Sequence, residues 1–317
     1  GSNTQDITVD TNWYIGNYPS SFTVTADGTE IKVYGTITGF DCKNNYDDNL
    51  TALDVSNNKS LTQLYCSGNR LTALDLSKNT KLTYLYCRGN NLSSLDLSKN
   101  TQLIGLDCSY NGLSILDLSK NTQLKRLNCL VNKLSSLDVS GCTQLTILYC
   151  YYNKLTALDV SRCTQLDTLS CPYNNVLSSL DVSGCKQLKW LSCEDNELSS
   201  LDVSGCTQLK GLECYGNKLT ALDVSGCKQL KELSCYKNRL TALDVSNNTK
   251  LEMLICYDNK FSSLDVSGCT QLKMLKCYNN KLSSLDLLNN TQLETLECYN
   301  NKLSSLDVSG CTQLTVL

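Results

Sequence analysis

The sequence predicts a solenoid, a fold in which short, nearly identical chain segments stack on one another, with a short-stranded parallel β-sheet and little or no α-helix. A Leu-Asp pair recurs every 21 residues from Asp54 to Asp307, with one step of 22 between Asp159 and Asp181. Leu, Cys and Asn hold fixed positions within each period. Units of this size cannot bury their apolar faces alone, so they stack. Half a period holds about ten residues, which is too few for a stable α-helix.

Each of the thirteen copies follows the pattern L-x-x-L-x-C-x-x-N-x-L-[ST]-[AS]-L-D-[VL]-S-x-[NC]-x-x. The pattern resembles the leucine-rich repeat, whose signature L-x-x-L-x-L-x-x-N-x-L is matched from Leu61 to Leu71 with Cys66 in the third apolar slot. The stretch from Leu71 to Asn79 nearly repeats the signature. This nested form is similar to surface leucine-rich repeat proteins of Bacteroidetes and spirochaetes rather than to internalins. The resemblance implies a curved, right-handed superhelix whose short-stranded sheet lines the concave side.

Two regions are predicted along the chain. Residues 37–317 form the repeat domain, with about 13 repeats. Residues 1–36 form an N-terminal cap, in which Gly1-Ser2 is a tag remnant and alternating residues around Asp27-Gly28 favour a β-hairpin. The last coil ends at Leu317 before its Cys, which would leave core leucines open, so we expect the natural protein to continue.

The 20 Cys could be metal ligands, disulfides or core filling. Thirteen occupy the third apolar slot, and seven occupy a turn slot that holds Asn in the sister repeats. Equivalent side chains on paired strands lie about 4.8 Å apart and point the same way, whereas a disulfide needs Cβ atoms about 3.5 to 4.5 Å apart and zinc needs ligands converging on one point. The favoured interpretation is an apolar filler in the first row and a weak donor to turn carbonyls in the second.

Composition argues against several classes of function. The net charge is −3, so there is no basic footprint for nucleic acid, and no run of about 18 apolar residues is present to insert into a membrane. The chain has no His, the commonest general base and metal ligand. We therefore expect a protein that is not an enzyme, with no catalytic residues, no metal and no cofactor. The repeated Asp and Asn rows are expected to serve structural hydrogen bonds.

Positions that differ between repeats are the candidate ligand-binding residues, because stacking fixes the others. The resemblance implies that these positions face outward from the concave sheet, and aromatic or apolar residues there are typical of interaction surfaces. The best cluster is expected around Ile147, Tyr149 and Trp190, with a second one around Met253. The full predicted set is Tyr65, Tyr84, Tyr86, Arg126, Ile147, Tyr149, Tyr151, Tyr152, Tyr173, Trp190, Met253, Ile255, Tyr257 and Met274. A further row, from Tyr215 to Tyr299, is either structural stacking or a ligand platform.

These observations predict a surface-exposed or secreted binding scaffold that engages a protein or glycan through the variable concave face and acts as a monomer outside the cell. Two alternatives stay open. One is a structural spacer or stalk, which predicts no special chemistry on the concave face. The other is an adhesin module of a multidomain protein whose further C-terminal part carries the activity.

Overall fold

The repeat pattern forms stacked parallel strands, and the described residues contain no α-helix. The computed structural model describes residues 4–8, 30–34, 37–43 and 50–317. The chain divides into two units, Gly1–Lys154 and Leu155–Leu317, and each is described by itself. Within each unit the predicted class, a parallel β-solenoid built from short strands, is confirmed.

The described residues of the first unit form nine strands. β1, β2 and β4 form one parallel sheet, and β3 with β5 to β9 forms another. The strands are β1 (Thr4–Thr8), β2 (Glu30–Tyr34), β3 (Gly39–Asp41), β4 (Ala52–Asp54), β5 (Gln63–Tyr65), β6 (Tyr84–Tyr86), β7 (Gly105–Asp107), β8 (Arg126–Asn128) and β9 (Ile147–Tyr149).

The second unit also holds nine strands. β10 pairs with β12, and β11 with β13 to β18 forms a parallel sheet in sequence order. The strands are β10 (Ala157–Asp159), β11 (Thr168–Ser170), β12 (Ser179–Asp181), β13 (Trp190–Ser192), β14 (Gly211–Glu213), β15 (Glu232–Ser234), β16 (Met253–Ile255), β17 (Met274–Lys276) and β18 (Thr295–Glu297).

Each coil buries the same apolar positions. The central Leu of a strand points inward and pairs in register with the central Leu of the next strand, as Leu64 does with Leu85. The Cys that follows the strand is also buried, as at Cys66 and Cys87. The first and third residues of the strand point outward, because successive side chains alternate between the two faces. The outward positions of the long sheet in each unit are called the strand face below.

A row of Asn side chains joins consecutive coils where the short strands end. Asn217 Nδ2 donates to the carbonyl oxygens of Cys214 in its own coil and Cys193 in the preceding coil, at 3.1 and 3.0 Å. Its Oδ1 accepts the backbone N–H of Leu198 in the preceding coil at 3.0 Å. The same contacts recur at Asn90, Asn132 and Asn259. The predicted structural role of this row is confirmed, although Asn45 lies outside the described residues.

The turn slot that alternates between Asn and Cys has a different requirement. Asn248 Nδ2 donates to the carbonyls of Val224 and Cys227, but its buried Oδ1 has no hydrogen-bond partner among the described residues. Where Cys replaces Asn, the thiol faces the same kind of carbonyl, as Cys227 Sγ does at 3.5 Å from Val203 O. This slot needs a donor and no acceptor, so a thiol can replace the amide. The predicted weak-donor role of the second Cys row is confirmed.

The Asp of each Leu-Asp pair caps a turn. Its Oδ1 accepts the backbone N–H two residues on, as in Asp244 to Ser246 at 2.9 Å and Asp75 to Ser77 at 2.9 Å. The pKa of both carboxyl groups lies below the usual range: at Asp244 the hydrogen bond from the Ser246 hydroxyl is the larger cause and the N–H the second, and at Asp75 the order is reversed. The expected structural role of the Asp row is therefore confirmed.

The one-residue insertion between Asp159 and Asp181 is absorbed in a turn. The residue before each ladder Asn lies in the left-handed region, as Val131 does with φ of 50°. In the longer copy both Tyr173 and Asn175 are left-handed, with φ of 52° and 59°. Asn tolerates this conformation better than most residues. The strands on either side keep their register, as predicted.

The N-terminal region departs from the expected hairpin. Asp27 and Gly28, the expected turn, lie outside the described residues. The strand expected as its second arm, β2, pairs in parallel with β1 on one side and with β4 on the other. The parallel stacking of the described residues thus extends to Thr4. The alternation of apolar and polar residues in β2 is compatible with a parallel or an antiparallel partner, so it does not distinguish between them. The boundary at residues 36 and 37 stays a prediction.

All 20 Cys lie in the described residues and none forms a disulfide; 18 of them are buried, and Cys42 and Cys298 are partly exposed. Burial raises the pKa of Cys87 from 9.0 to about 12, and the negative charge of Asp107 adds to the rise. Burial likewise raises the pKa of Cys235 to about 12. The predicted placement of the first Cys row in the core is confirmed, and these thiols stay protonated at neutral pH.

The two Asn rows should respond differently to the same substitution. Asn217→Cys should lower the free energy of unfolding by about 2 to 4 kcal/mol, because it leaves the Leu198 N–H and a buried carbonyl unpaired. Asn248→Cys should cost less than about 1 kcal/mol, because that slot accepts a thiol in sister coils. Urea unfolding of both variants measures the difference. Equal losses would show that the amide acceptor at Asn217 contributes nothing.

Stability should fall on the alkaline side. A thiol whose pKa rises from 9.0 to about 12 on folding stabilises the protein below pH 9 and loses that contribution as pH rises through this window. Cys87→Val should flatten the slope of unfolding free energy against pH by about 1.4 kcal/mol per pH unit between pH 9.5 and 11. Urea unfolding at a series of pH values measures the slope. An unchanged slope would mean that Cys87 is ionised in the folded state.

Candidate functional site

The strand face is the candidate site because its positions differ from coil to coil. The structure places ten of the fourteen predicted residues there. They are Tyr65, Tyr84, Tyr86, Arg126, Ile147, Tyr149, Trp190, Met253, Ile255 and Met274. The other four, Tyr151, Tyr152, Tyr173 and Tyr257, lie in the turn after the strand.

In the first unit, three Tyr form an aromatic cluster on β5 and β6. The rings of Tyr65 and Tyr86 stack with centroids 5.1 Å apart, and those of Tyr84 and Tyr86 lie 6.4 Å apart. The Tyr65 hydroxyl donates to Gln63 Oε1 at 3.0 Å. Burial raises the pKa of Tyr86, and its neighbour Tyr65 adds to the rise. All three rings are half-buried, so the cluster presents both apolar faces and hydroxyl groups.

The Tyr84 ring also covers Gly105 on the adjacent strand. Gly105 is buried although it occupies an outward position, and a Cβ added there would lie 2.8 Å from Tyr84 Cδ1. A side chain at position 105 would push the ring away. The Gly therefore sets the ring orientation.

The predicted cluster of the first unit is brought together on β8, β9 and the following turn. Arg126 pairs in register with Ile147, and Asn128 with Tyr149. Tyr151 and Tyr152 meet edge to face at 5.8 Å, and Tyr152 is 50% exposed. Ile147 and Tyr149 are half-buried and Arg126 is exposed. These residues can supply a mixed apolar and hydrogen-bonding surface.

Trp190 and Tyr173 belong to the second unit. Trp190 begins β13 and is 43% exposed, while Tyr173 is half-buried in a turn. The indole covers Gly211 of the neighbouring strand, where an added Cβ would overlap Cε3 and Cζ3 of the ring. The prediction that Trp190 shares one patch with Ile147 and Tyr149 stays a prediction, since those two residues lie in the other unit.

The second predicted patch is a small apolar surface between ion pairs. Met253 and Met274 are partners in register, and Ile255 lies beside them, all half-buried. Glu252 bridges Lys231 and Lys273 at 2.8 and 3.0 Å along one side. Tyr257, predicted as part of this patch, belongs instead to a stack of Tyr rings in the turn row.

Five consecutive Tyr in the second unit form that stack. Adjacent ring centroids lie 4.2 to 4.4 Å apart with interplanar angles of 8 to 17°. Each inner ring is therefore covered on both faces by its neighbours. Of the two roles left open by the sequence, this geometry favours structural stacking, since both faces of the three inner rings are covered. The members are Tyr215, Tyr236, Tyr257, Tyr278 and Tyr299.

Next to the stack lies a buried carboxyl group. Glu194 is 6% exposed and accepts a hydrogen bond from the Ser192 hydroxyl at 2.7 Å. Burial raises the pKa of Glu194, although the Ser192 hydroxyl opposes the shift. Glu194 in turn raises the pKa of Tyr215, after burial. Sequence reasoning missed Glu194, because its position is occupied by Lys, Ser, Arg, Leu, Tyr or Pro in other coils.

Residues 4–8, 30–34, 37–43 and 50–317 bear on two further kinds of function, metal binding and membrane spanning. Within these ranges no three His, Cys, Asp or Glu side chains are placed to hold one metal ion. The same residues contain no helix that is long and apolar enough to cross a membrane.

Comparison with known proteins identifies the repeat. A family model described as Leucine Rich repeats matches residues 59–100 and 270–310. Comparison with curated proteins gives no match. Among solved structures, the functional domain of InlJ from Listeria monocytogenes, which includes a cysteine ladder, is 41% identical with a TM-score of 0.77. That match covers 81% of this chain and 58% of the Listeria chain, so this chain spans less than two thirds of it.

Two further structures share the architecture. An internalin, InlF, from Listeria monocytogenes is 25% identical with a TM-score of 0.77, covering 88% of this chain and 86% of that one. A leucine-rich repeat protein of Leptospira interrogans is 20% identical with a TM-score of 0.63, covering 92% of this chain and 90% of that one, and shows the fold alone. The two Listeria matches do not support the expected contrast with internalins, and the attribution to Bacteroidetes and spirochaetes stays a prediction. The fold of this chain is therefore the leucine-rich repeat solenoid, and residues 59–100 and 270–310 match the leucine-rich repeat family model.

Proposed function

We propose that this chain is a surface-exposed or secreted, non-catalytic scaffold that binds a protein or glycan ligand through its strand face. One observation carries the proposal. The Leu, Cys, Asn and Asp rows are occupied by core packing and hydrogen bonds between coils, whereas the strand face varies and carries partly exposed rings such as Tyr149 and Trp190. Leucine-rich repeat proteins serve as protein-binding scaffolds, and binding energy concentrates in a few Tyr, Trp and Arg anchors.

A catalytic role has little support. An active site needs a base, a nucleophile and an electrophilic donor converging in a pocket. The chain has no His. Beside the strand face Glu252 is held between two Lys, and the Asp of each Leu-Asp pair accepts a backbone N–H. These carboxylates therefore stabilise the fold through ion pairs and hydrogen bonds, and they are not placed to act as a base or a nucleophile.

The proposed location outside the cell rests on the resemblance of this chain to surface proteins built from 21-residue repeats. The thiols are compatible with it, because a buried, protonated thiol is a poor nucleophile and resists oxidation. Of the 20 Cys only Cys42 and Cys298 are partly exposed. Purified protein kept in air should therefore retain nearly all its thiols while folded.

The proposal predicts specific losses of binding. The full 317-residue chain is screened against protein and glycan arrays, and affinity for the ligands found is measured by calorimetry. Tyr149→Ala and Trp190→Ala should each weaken binding about thirtyfold, because each removes a large anchor from the interface. Ser136→Ala and Ser200→Ala, in the uniform half of the repeat, are matched controls and should bind like the parent. Urea unfolding checks that stability is unchanged.

Two outcomes contradict the proposal. If both aromatic variants bind like the parent, the strand face is not the site. If the Ser controls lose more affinity than the aromatic variants, the uniform half of the repeat carries binding instead. If neither array yields a ligand, the result favours the alternative of a structural spacer or stalk.

A further inference from the structure

Gly211 lies in an unusual environment on the strand face. It is the outward residue at the start of β14, where sister strands carry Glu232, Met253 or Met274. Those side chains are exposed or half-buried, yet Gly211 is buried. The cover comes from Trp190, its register partner, because a Cβ at position 211 would overlap Cε3 and Cζ3 of the indole. The indole thus lies across the adjacent strand.

This placement leaves one face of the indole open. One face rests on the Gly211 backbone, and the side chain is nevertheless 43% exposed. Within residues 155–317 the structure gives the indole N–H no hydrogen-bond partner. An exposed ring face beside an N–H donor that has no partner in the protein is therefore available to a ligand.

The same device occurs independently in the first unit. Tyr84 lies over Gly105, which is also buried at an outward position. In both units the Gly follows the aromatic residue by one coil. In each unit, the absence of a side chain at the Gly therefore lets an aromatic ring lie on the sheet.

The groups around Trp190 define the chemistry of a ligand. Glu232 and Glu213 are exposed on the strands that follow, with Ser192 beside Glu213. Neither Glu takes part in an ion pair within the second unit. Free carboxylates accept hydrogen bonds from hydroxyl groups and repel phosphate or sulfate. An open ring face offers apolar contact to a flat patch of C–H groups.

We propose that Trp190, lying over Gly211 and flanked by Glu213 and Glu232, is a subsite for one hexopyranose residue of an uncharged glycan. The apolar face of the sugar ring stacks on the indole, the sugar hydroxyls donate to the carboxylates, and the indole N–H donates to a sugar oxygen. A nucleic acid or a sulfated glycan is disfavoured by the two negative charges. This inference rests on the proposed function, since it places the ligand on the same strand face.

The test uses the indole as its own probe. Trp13→Phe leaves Trp190 as the only Trp of the chain. Titration of this variant with cellotetraose and with tetra-N-acetylchitotetraose should give a saturable change in fluorescence for at least one of them, and dextran sulfate should give none. Adding Gly211→Ala, which displaces the ring but keeps it, should weaken binding at least tenfold. Gly105→Ala is the matched control and should leave the Trp190 titration unchanged.

The outcomes separate this inference from the proposed function. Absence of a saturable change with both uncharged probes overturns the inference, as does Gly211→Ala binding like its parent. If Gly211→Ala lowers the unfolding midpoint markedly, Trp190→Ala takes its place, with binding followed by calorimetry, and unchanged affinity again overturns the inference. An array ligand whose binding requires Tyr149 but tolerates Trp190→Ala would leave the proposed function standing without the sugar subsite.

Discussion

The hydrogen bonds of the Asn row are the interaction on which the rest of the structure depends. Strands of three residues pair only a few backbone groups, and each coil must bend into a turn directly after its buried Cys. The carbonyls and N–H groups at that bend would be buried without partners, at about 1 to 3 kcal/mol each. Asn217 satisfies the carbonyls of Cys193 and Cys214 and the N–H of Leu198 at once. Coils of 21 residues can therefore stack without a helix.

This arrangement separates structure from recognition. The core Leu and Cys, the two Asn-containing rows and the Asp caps meet the demands of stacking, and they repeat with little change. The strand face contributes little to those demands, so its residues can differ from coil to coil. Even the Gly at positions 105 and 211 fits this division, because each removes a side chain from the strand face and lets a neighbouring ring lie on the sheet.

Periodicity was sufficient to predict the solenoid, the buried Cys row and the turn at the insertion, since each depends on a position that recurs. Features that depend on the partner of one strand or on the orientation of one side chain could not be predicted. The sequence around Asp27 and Gly28 suits either an antiparallel or a parallel partner, and β2 takes the parallel one. Trp190 was predicted as a site residue, but the role of Gly211 requires the register between β13 and β14. The stacking of Tyr257 with Tyr236 and Tyr278 in the turn row also depends on ring orientation, and its predicted part in ligand binding stays a prediction.

Amide hydrogen exchange measured residue by residue by NMR tests the central claim most directly. The N–H groups of Leu198, Leu134 and Leu240 lie outside the strands, and each donates to a ladder Asn Oδ1 at 3.0 Å. If the Asn row holds the coils together, these amides should exchange as slowly as that of Leu212 at the centre of β14, opening only when the coil unfolds. Exchange of the three amides at rates typical of exposed turns, while Leu212 stays protected, would contradict the claim.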